Sequence, residues 1–443
     1  MVLVASVTSC SEDLASPTLA RLRQPTGFRL APESRYAFVS NGNWDRSELG
    51  GSVLVLDLRG LDRALESAPT AGDPTRTMPC HADGARLSCS AEHMLVPAAG
   101  LGIGSAVGNL VVDRPSGQGG ATRVLTVQRI PAAVVWFDVN MTDDGPVLDC
   151  GVGFDGGCDE VHTIVAALDR PEIELPEDPS RIVLDDQGYR FGYVPHLLGG
   201  SISLLALDGA AGPELVDVAG DFFRSDPFED TEYAGGFGVA SRPCDLANAP
   251  SGSRDCTRPV LYSSQRFFPS VRRFAVAPGL DVVLPGDESS LAVVNPEIVA
   301  SQPFMADLAF ENPEAESPLL VVQTTPAALV RVDTTVDVDG DPGDQVLGTV
   351  SLCEQPNLLA IHRPADEEPL ALVTCFGEGL LAVVGLSSFR VLRTIALGAG
   401  ANEIEVDPVA QRAYVVNTRD DSISVVTLDR RDAAFLTEVA RIE

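Results

Sequence analysis

The sequence contains no lysine: all 31 basic residues among its 443 are arginine. Schiff-base and lysine-nucleophile chemistry is therefore excluded. Positive charge is also in the minority, since 63 acidic residues leave a formal net charge of −32. A surface of that sign opposes the phosphate backbone, whose binding depends on neutralisation by Lys and Arg, so nucleic acid is not an expected partner. Apolar runs are short, and none approaches the roughly 18 uninterrupted residues of a membrane span. The signatures of common catalytic sites are missing as well: there is no G-x-S-x-G elbow, no H-E-x-x-H and no P-loop. The glycine-rich stretch Gly100 to Gly108 leads into a strand rather than a helix and reads as a turn. Histidine is scarce. His81, His93, His162, His196 and His362 are scattered singly, and only His196, in a hairpin, and His362, at a strand end, are placed to reach a shared rim. A lone histidine is more often a structural residue than a ligand.

Cysteine is present in an informative pattern. Cys10 stands alone, while the other eight fall into neighbours 9, 8, 12 and 22 positions apart with no C-x-x-C pair of the kind zinc sites use. The simplest pairing is four local disulfides, Cys80–Cys89, Cys150–Cys158, Cys244–Cys256 and Cys353–Cys375. Short loop closure favours these partners, each bridge contributing about 2–4 kcal/mol in the chain-entropy model. The last pair must span an inner strand and return on the next.

Repetition is the strongest feature. Arg412 to Asp429 reads as two short strands around a polar turn, and the same form recurs at Ser34 to Leu58 and Tyr189 to Asp208. Val124 to Val139 and Leu319 to Thr334 share Val-Gln-x-x-Pro-Ala-Ala at one register, and weaker copies lie at Val260 to Val276 and Ala371 to Leu386. Upstream of each copy is a strand with apolar residues two apart, the alternation expected when one strand face is buried. These pairs are Phe28/Leu30, Leu110/Val112, Ile182/Leu184, Phe237/Val239, Leu308/Phe310, Leu359/Ile361 and Ile404/Val406. Pieces such as Phe389 to Gly398 supply a fourth strand. Four antiparallel strands repeated seven times predict an all-β fold, a seven-bladed β-propeller of four-stranded antiparallel blades with helix content near zero. It occupies residues 24–443 as one domain, the apolar pairs lie on the innermost strands, and the ring is expected to close by mixing strands from both termini.

The segments Tyr36 to Leu58 and Ala413 to Asp429 resemble the YVTN repeats of bacterial seven-bladed propellers, which are similar in architecture to WD40 and lactonase-type propellers. The resemblance runs unevenly over residues 24–435, and the unit spacing departs from the family's regular period because of insertions that hold the proposed loops 80–89, 150–158 and 244–256. The N-terminus, an apolar run ending in Val7-Thr8-Ser9-Cys10, resembles the lipobox of bacterial lipoproteins. That resemblance implies cleavage before Cys10, lipid attached to Cys10, residues 1–9 as a signal segment truncated at its start, and 10–23 as anchor and linker. Ser11 after the cysteine, rather than Asp, implies export to the outer membrane, facing periplasm or exterior.

Two function classes follow. One is a lipid-anchored envelope propeller that acts as a monomeric binding or interaction scaffold without catalysis, for an envelope protein or a small polar ligand. The other is a propeller hydrolase of the lactonase or esterase sort, with its site where the inner strands meet. The positions just before the apolar pairs are Gly27, Asn109, Arg181, Gly236, Asp307, Leu358 and Glu403. The expected ligand site is accordingly the channel mouth, with Asn109, Arg181, Asp307, Asn357, Asn402 and Glu403 converging. Two carboxylates, one Arg and the overall charge suit a cation or a polar neutral ligand better than an anion. Asp307, Glu403 and Asn109 could together make a metal site. No organic cofactor is expected. Asp337, Asp339, Asp341 and Asp344 place carboxylates at alternating positions around Gly340, as a partial Ca²⁺ loop would, although the closing glutamate of an EF-hand is missing and a solvated acidic turn has the same composition.

Overall fold

The structure is a computed structural model that describes residues 14–66, 80–97, 99–115, 122–143, 145–153, 157–185, 187–209, 211–219, 235–243, 259–266, 270–277, 282–292, 304–313, 316–335 and 343–443. Seven mainly antiparallel sheets follow one another along the chain and close into a ring, the all-β seven-bladed propeller expected from the repeats. The innermost strands are Pro25–Leu30, Ser105–Asp113, Val183–Leu184, Gly236–Ser241, Phe304–Phe310, Pro356–His362 and Ala401–Asp407. Each runs antiparallel to a second strand, and a hairpin then leads outward to a third and a fourth. Among the described residues one helix interrupts the pattern, Arg59–Glu66, whose Leu61 and Ala64 pack inward.

The core is divided in a way the repeat explains. A blade is a thin sheet that cannot bury both faces alone, so its apolar side chains must meet those of the next blade. Seven buried clusters result among the described residues, each spanning one junction. Phe38 and Val55 of the first blade, for example, join Leu110, Val124 and Phe137 of the second. The junction of the last blade with the first carries Tyr414, Val416 and Ile423 against Phe28, Leu54 and Leu56, with the Phe28 and Tyr414 rings stacked at 5.0 Å.

Closure differs from the expected mixing of termini. The last blade takes all four of its strands from one stretch, Ala401–Asp407, Arg412–Asn417, Ser422–Thr427 and Glu438–Ile442. A hairpin from the excursion after the first blade's third strand, Cys80–Asp83 with Arg86–Cys89, is then added outside it, Arg86–Cys89 running parallel to Glu438–Ile442. Arg86 Nη1 donates to Glu438 at 2.8 Å, the Glu443 amide donates to the Cys89 carbonyl, and the Cys80–Cys89 disulfide closes the hairpin. This hairpin covers an outer edge that would otherwise offer unpaired backbone groups.

The disulfides Cys150–Cys158 and Cys353–Cys375 are also formed. Cys10, Cys244, Cys256, Asp337, Asp339 and Asp341 lie outside the described residues. Asp344 is described and accepts a hydrogen bond from the Tyr262 hydroxyl at 3.1 Å. The stretch Gly100 to Gly108 is not a turn: Leu101–Ile103 forms the outer strand of the first blade and Ser105–Asp113 the inner strand of the second, with Gly104 between them.

Candidate ligand site at the channel mouth

The inner strands share one irregularity. Near its start the register against the second strand shifts by one residue in six of the seven, as between Pro25 and Gly27, Val107 and Leu110, Gly236 and Val239, Met305 and Leu308, Pro356 and Leu359, and Ala401 and Ile404. Such bulges re-aim side chains and are over-represented beside functional sites. The bulged residues are Thr26, Gly108 and Asn109, Phe237 and Gly238, Ala306 and Asp307, Asn357 and Leu358, and Asn402 and Glu403; Ser180 and Arg181 take the place in the third blade. The fourth blade lies two residues away from the position that the apolar alternation predicts. Register puts Gly238, not Gly236, beside Asp307, and Val239/Ser241 rather than Phe237/Val239 on the buried face, because a bulged phenylalanine imitates the apolar alternation. Backbones approach closely here: a Cβ on Gly238 would lie 3.0 Å from the Asp307 Cα, and one on Gly27 equally close to the Asn109 Cα.

Five of the six expected site residues fall into two groups, an ion cluster of Arg181, Asp307 and Glu403 and an amide pair of Asn357 and Asn402, and the sixth serves the fold. Arg181 Nη1 lies 3.0 Å from Asp307 and its Nη2 3.7 Å from Glu403, so three blades contribute to one buried ion cluster. Burial works against the Arg181 charge, but the two carboxylates outweigh it and hold its pKa above the usual value. Burial pushes the Glu403 carboxyl up to about 7; Arg181 opposes that shift and Asp307 adds to it. Deeper in the same strand Glu405 is ion-paired with Arg29 at 2.7 Å. Asp307 also accepts the Leu359 amide at 3.1 Å. Asn357 Nδ2 donates to Asn402 Oδ1 at 2.7 Å, and Asn402 Nδ2 donates to Thr418 at 3.4 Å. Asn109 is otherwise engaged, its amide donating to the Ile182 carbonyl and accepting the Ile182 amide, both at 2.9 Å. The metal set of Asp307, Glu403 and Asn109 is therefore not assembled, since Arg181 occupies the carboxylates and Asn109 joins two blades. Among the described residues no three His, Cys, Asp or Glu side chains are grouped to hold a metal ion.

A second seven-membered ring, not anticipated from the sequence, lies one strand further out. Opposite the start of each inner strand the second strand ends in Asn41, Gln128, His196, Gln265, Gln323, Cys375 or Asn417, all buried. Several of these tie down the chain as it enters the blade. Asn41 accepts the Arg23 amide, Gln128 accepts the Gly104 amide, His196 bonds the Glu177 carbonyl, and Cys375 is covalently joined to Cys353. The disulfide thus does in the sixth blade what an amide does elsewhere. The shared Val-Gln-x-x-Pro-Ala-Ala has the same origin: Gln128 and Gln323 each donate to the carbonyl of the hairpin proline, Pro131 and Pro326, at 3.2 and 3.0 Å. His196 and His362 do not share a rim, because His196 sits level with the start of its blade's inner strand and His362 at the end of its own.

The residues that follow these are Gly42, Arg129, Leu197, Arg266, Thr324, Phe376 and Thr418, a ring at the mouth end of the blades. Phe376, Thr418, Gln24, Thr26, Trp44, Asn402, Arg419 and Asp421 line a recess of about 520 Å³. Trp44 is 44% exposed, and Arg419 lies over the Phe376 ring at 4.5 Å. Asp421 accepts the Gln24 amide at 2.6 Å and Gln24 Oε1 accepts the Trp44 amide at 2.7 Å, so the aromatic wall is positioned by polar contacts between the first and last blades. On the other side of Trp44 a second recess of about 660 Å³ is lined by Arg129, Glu177, Asp178 and Leu198. A wider groove of about 1000 Å³ lies off the axis along the insertion after the second blade, with Val161, Val165 and Leu168 exposed. Aligning the second strands as the inner ones were aligned would have found the rim.

No protein-family model matches the chain, and no curated protein matches it by sequence. Solved structures do match in shape. A protein of Bacteroides uniformis described provisionally as a 6-phosphogluconolactonase superposes with a TM-score of 0.55 at 11% identity, over 91% of this chain and 95% of that one. One of Bacteroides fragilis with the same provisional description gives 0.51 at 12%, over 93% and 99%. A chain of the COPII outer coat vertex on membranes gives 0.54 at 9%, over 92% and 85%. At these identities the likeness is one of fold alone, and this fold carries unrelated functions. The chain is similar to the seven-bladed propellers in architecture.

Proposed function

We propose that the protein is an extracytoplasmic binding propeller, held to the envelope by lipid on Cys10, that takes a small polar ligand into the channel mouth. The observation that carries this reading is the juxtaposition of two aromatic walls, Trp44 and Phe376, with the relay Thr418–Asn402–Asn357. Apolar walls with a few placed polar groups are the usual make-up of a small-molecule site. The disulfides support an oxidising compartment. The provisional lactonase descriptions of two neighbours favour a hydrolase as the second reading. The ion cluster weighs against it, because Arg181 engages both channel carboxylates and leaves neither placed to activate water.

The chain has two tryptophans, and Trp136 is buried with its indole N–H donated to the Val161 carbonyl, so a fluorescence change on ligand addition reports Trp44. Titration with a panel of sugars, sugar acids, polyols and polyamines should give a saturable change with at least one class, lost in Trp44→Phe and weakened in Asn402→Ala. A panel without any saturable response would sink the reading. So would lactone or ester hydrolysis that alanine at Asp307 or Glu403 abolishes without loss of thermal stability. The anchor is checked separately by palmitate labelling in the native host, which Cys10→Ser should abolish.

A further inference from the structure

Among the described residues, Arg266 is the one rim cation of the mouth ring without a carboxylate partner. Its counterpart Arg129 is ion-paired with Asp178 and lies over Trp44. Arg266 lies instead over the Phe237 ring at 4.6 Å, and its Nη1 donates to Asn357 Oδ1 at 3.1 Å. Among the described residues no other side chain bonds its guanidinium and no carboxylate lies within ion-pair reach. A desolvated charge without a counter-ion is costly and is normally paired. Burial alone depresses its pKa to about 10. The same guanidinium is connected to the recess through Asn357 and then Asn402, a pocket-wall residue.

Resting on the reading of the mouth as a ligand site, we propose that Arg266 supplies the counter-charge for a carboxylate carried by the ligand, making the protein a receptor for a polar monocarboxylate such as a sugar acid. With Nη1 engaged by Asn357, the rest of the planar guanidinium can present two donors to one carboxylate. A monoanion suits the channel better than a phosphate dianion, because Asp307 and Glu403 stand in the same channel and repel further negative charge. The strongly negative overall charge of the chain does not decide the matter, since a guanidinium in direct contact with the ligand acts at a few ångströms while distant surface charges are screened by salt.

The test uses the full chain with glucuronate, its neutral amide glucuronamide, acetate and inorganic phosphate, read by Trp44 fluorescence and calorimetry near pH 7. Glucuronate should bind about tenfold or more tighter than glucuronamide, from the worth of a charge-assisted hydrogen bond. Arg266→Gln should erase that preference by weakening glucuronate more than glucuronamide, and Arg266→Lys should retain part of it. Equal binding of the two probes to the wild type, or a preference that survives in Arg266→Gln, overturns the inference. Phosphate competing with glucuronate more strongly than acetate overturns the assignment to a carboxylate. Binding of glucuronamide alone leaves the mouth as a ligand site and removes only the role of Arg266, whereas failure of both sugars removes both.

Discussion

Two guanidiniums flank the same ring in the channel, and they are treated oppositely. Arg181 reaches to within 5.8 Å of the Phe237 centroid and Arg266 to within 4.6 Å, from adjacent blades. Arg181 is held between Asp307 and Glu403 and kept firmly charged, while Arg266 has an amide and an aromatic face and is pushed the other way. The first arrangement is a plug. It joins the third, fifth and seventh blades across the axis, where no blade-to-blade core reaches. The second has the features of a site held open for something else, since structural arginines are paired within the fold.

The comparison breaks first at Arg181. Arg181→Met leaves two buried carboxylates facing one another without a counter-ion, and removal of one partner from a buried cluster costs about 3–5 kcal/mol. Chemical denaturation should show a loss of that size, partly recovered when Glu403→Gln is added. A change below about 1 kcal/mol would mean that the cluster is solvated in the channel and that the plug is no structural element.

The pH dependence sharpens the same contrast. Glu403 faces Arg181, Asp307, Arg29 and Glu405, and its carboxyl keeps its proton to about 7 in the folded protein against 4.5 as the ordinary value. Between those limits the folded state binds more protons than the unfolded one, so this group's contribution to stability falls as pH rises through the window. His196 acts in the opposite sense. Burial depresses its pKa to about 4, with the carbonyls of Glu177 and Pro176 opposing, so between about 4 and 6.5 the unfolded state binds the extra proton and stability rises with pH. The two slopes offset one another in the wild type. Glu403→Gln should unmask the rise, giving a melting temperature that climbs between pH 5 and 7 more steeply than the wild type's. An unchanged profile would place Glu403 in contact with bulk water.

These elements differ in how far they could be read in advance. The apolar pairs located six of the seven inner strands in register, because burial of one face imposes a period of two that composition cannot hide. Arg181, Asp307 and Glu403 meet because the position before each pair turns toward the axis, and Asn357 and Asn402, the other residues of the same bulges, pair beside them. The fourth blade slipped by two, one full strand period, because Phe237 is apolar and faces the channel cations, a local use that period alone cannot separate from core. Asn109 looked like a site residue and is instead a hydrogen-bonded link to Ile182, a distinction that depends on the neighbouring blade. The clasp formed by residues 80–89 beside Glu438–Ile442 was invisible, since parallel pairing between segments some 350 positions apart leaves no mark in either one.

The smallest effect is also the most discriminating, and it falls on Arg266. In the folded protein its charge is disfavoured relative to solvent, its hydrogen bond to Asn357 being one neutral-acceptor contact. Arg266→Met removes the charge, keeps a chain of similar length against the Phe237 ring, and leaves Asn357 bonded to Asn402. Loss of one hydrogen bond costs about 1 kcal/mol, and relief of an unpaired, half-buried charge is worth about as much, so the substitution should be neutral or stabilising by about 1 kcal/mol. Denaturation curves for Arg266→Met and Arg181→Met, measured side by side at pH 7, would then move in different directions although the two residues share one aromatic neighbour. If Arg266→Met lost 2 kcal/mol or more, its guanidinium would have to be counted among the structural arginines, and the reason for assigning it to a ligand would be gone. A gain in stability accompanied by loss of the glucuronate preference would be the trade expected where a group is kept for binding at the expense of the fold.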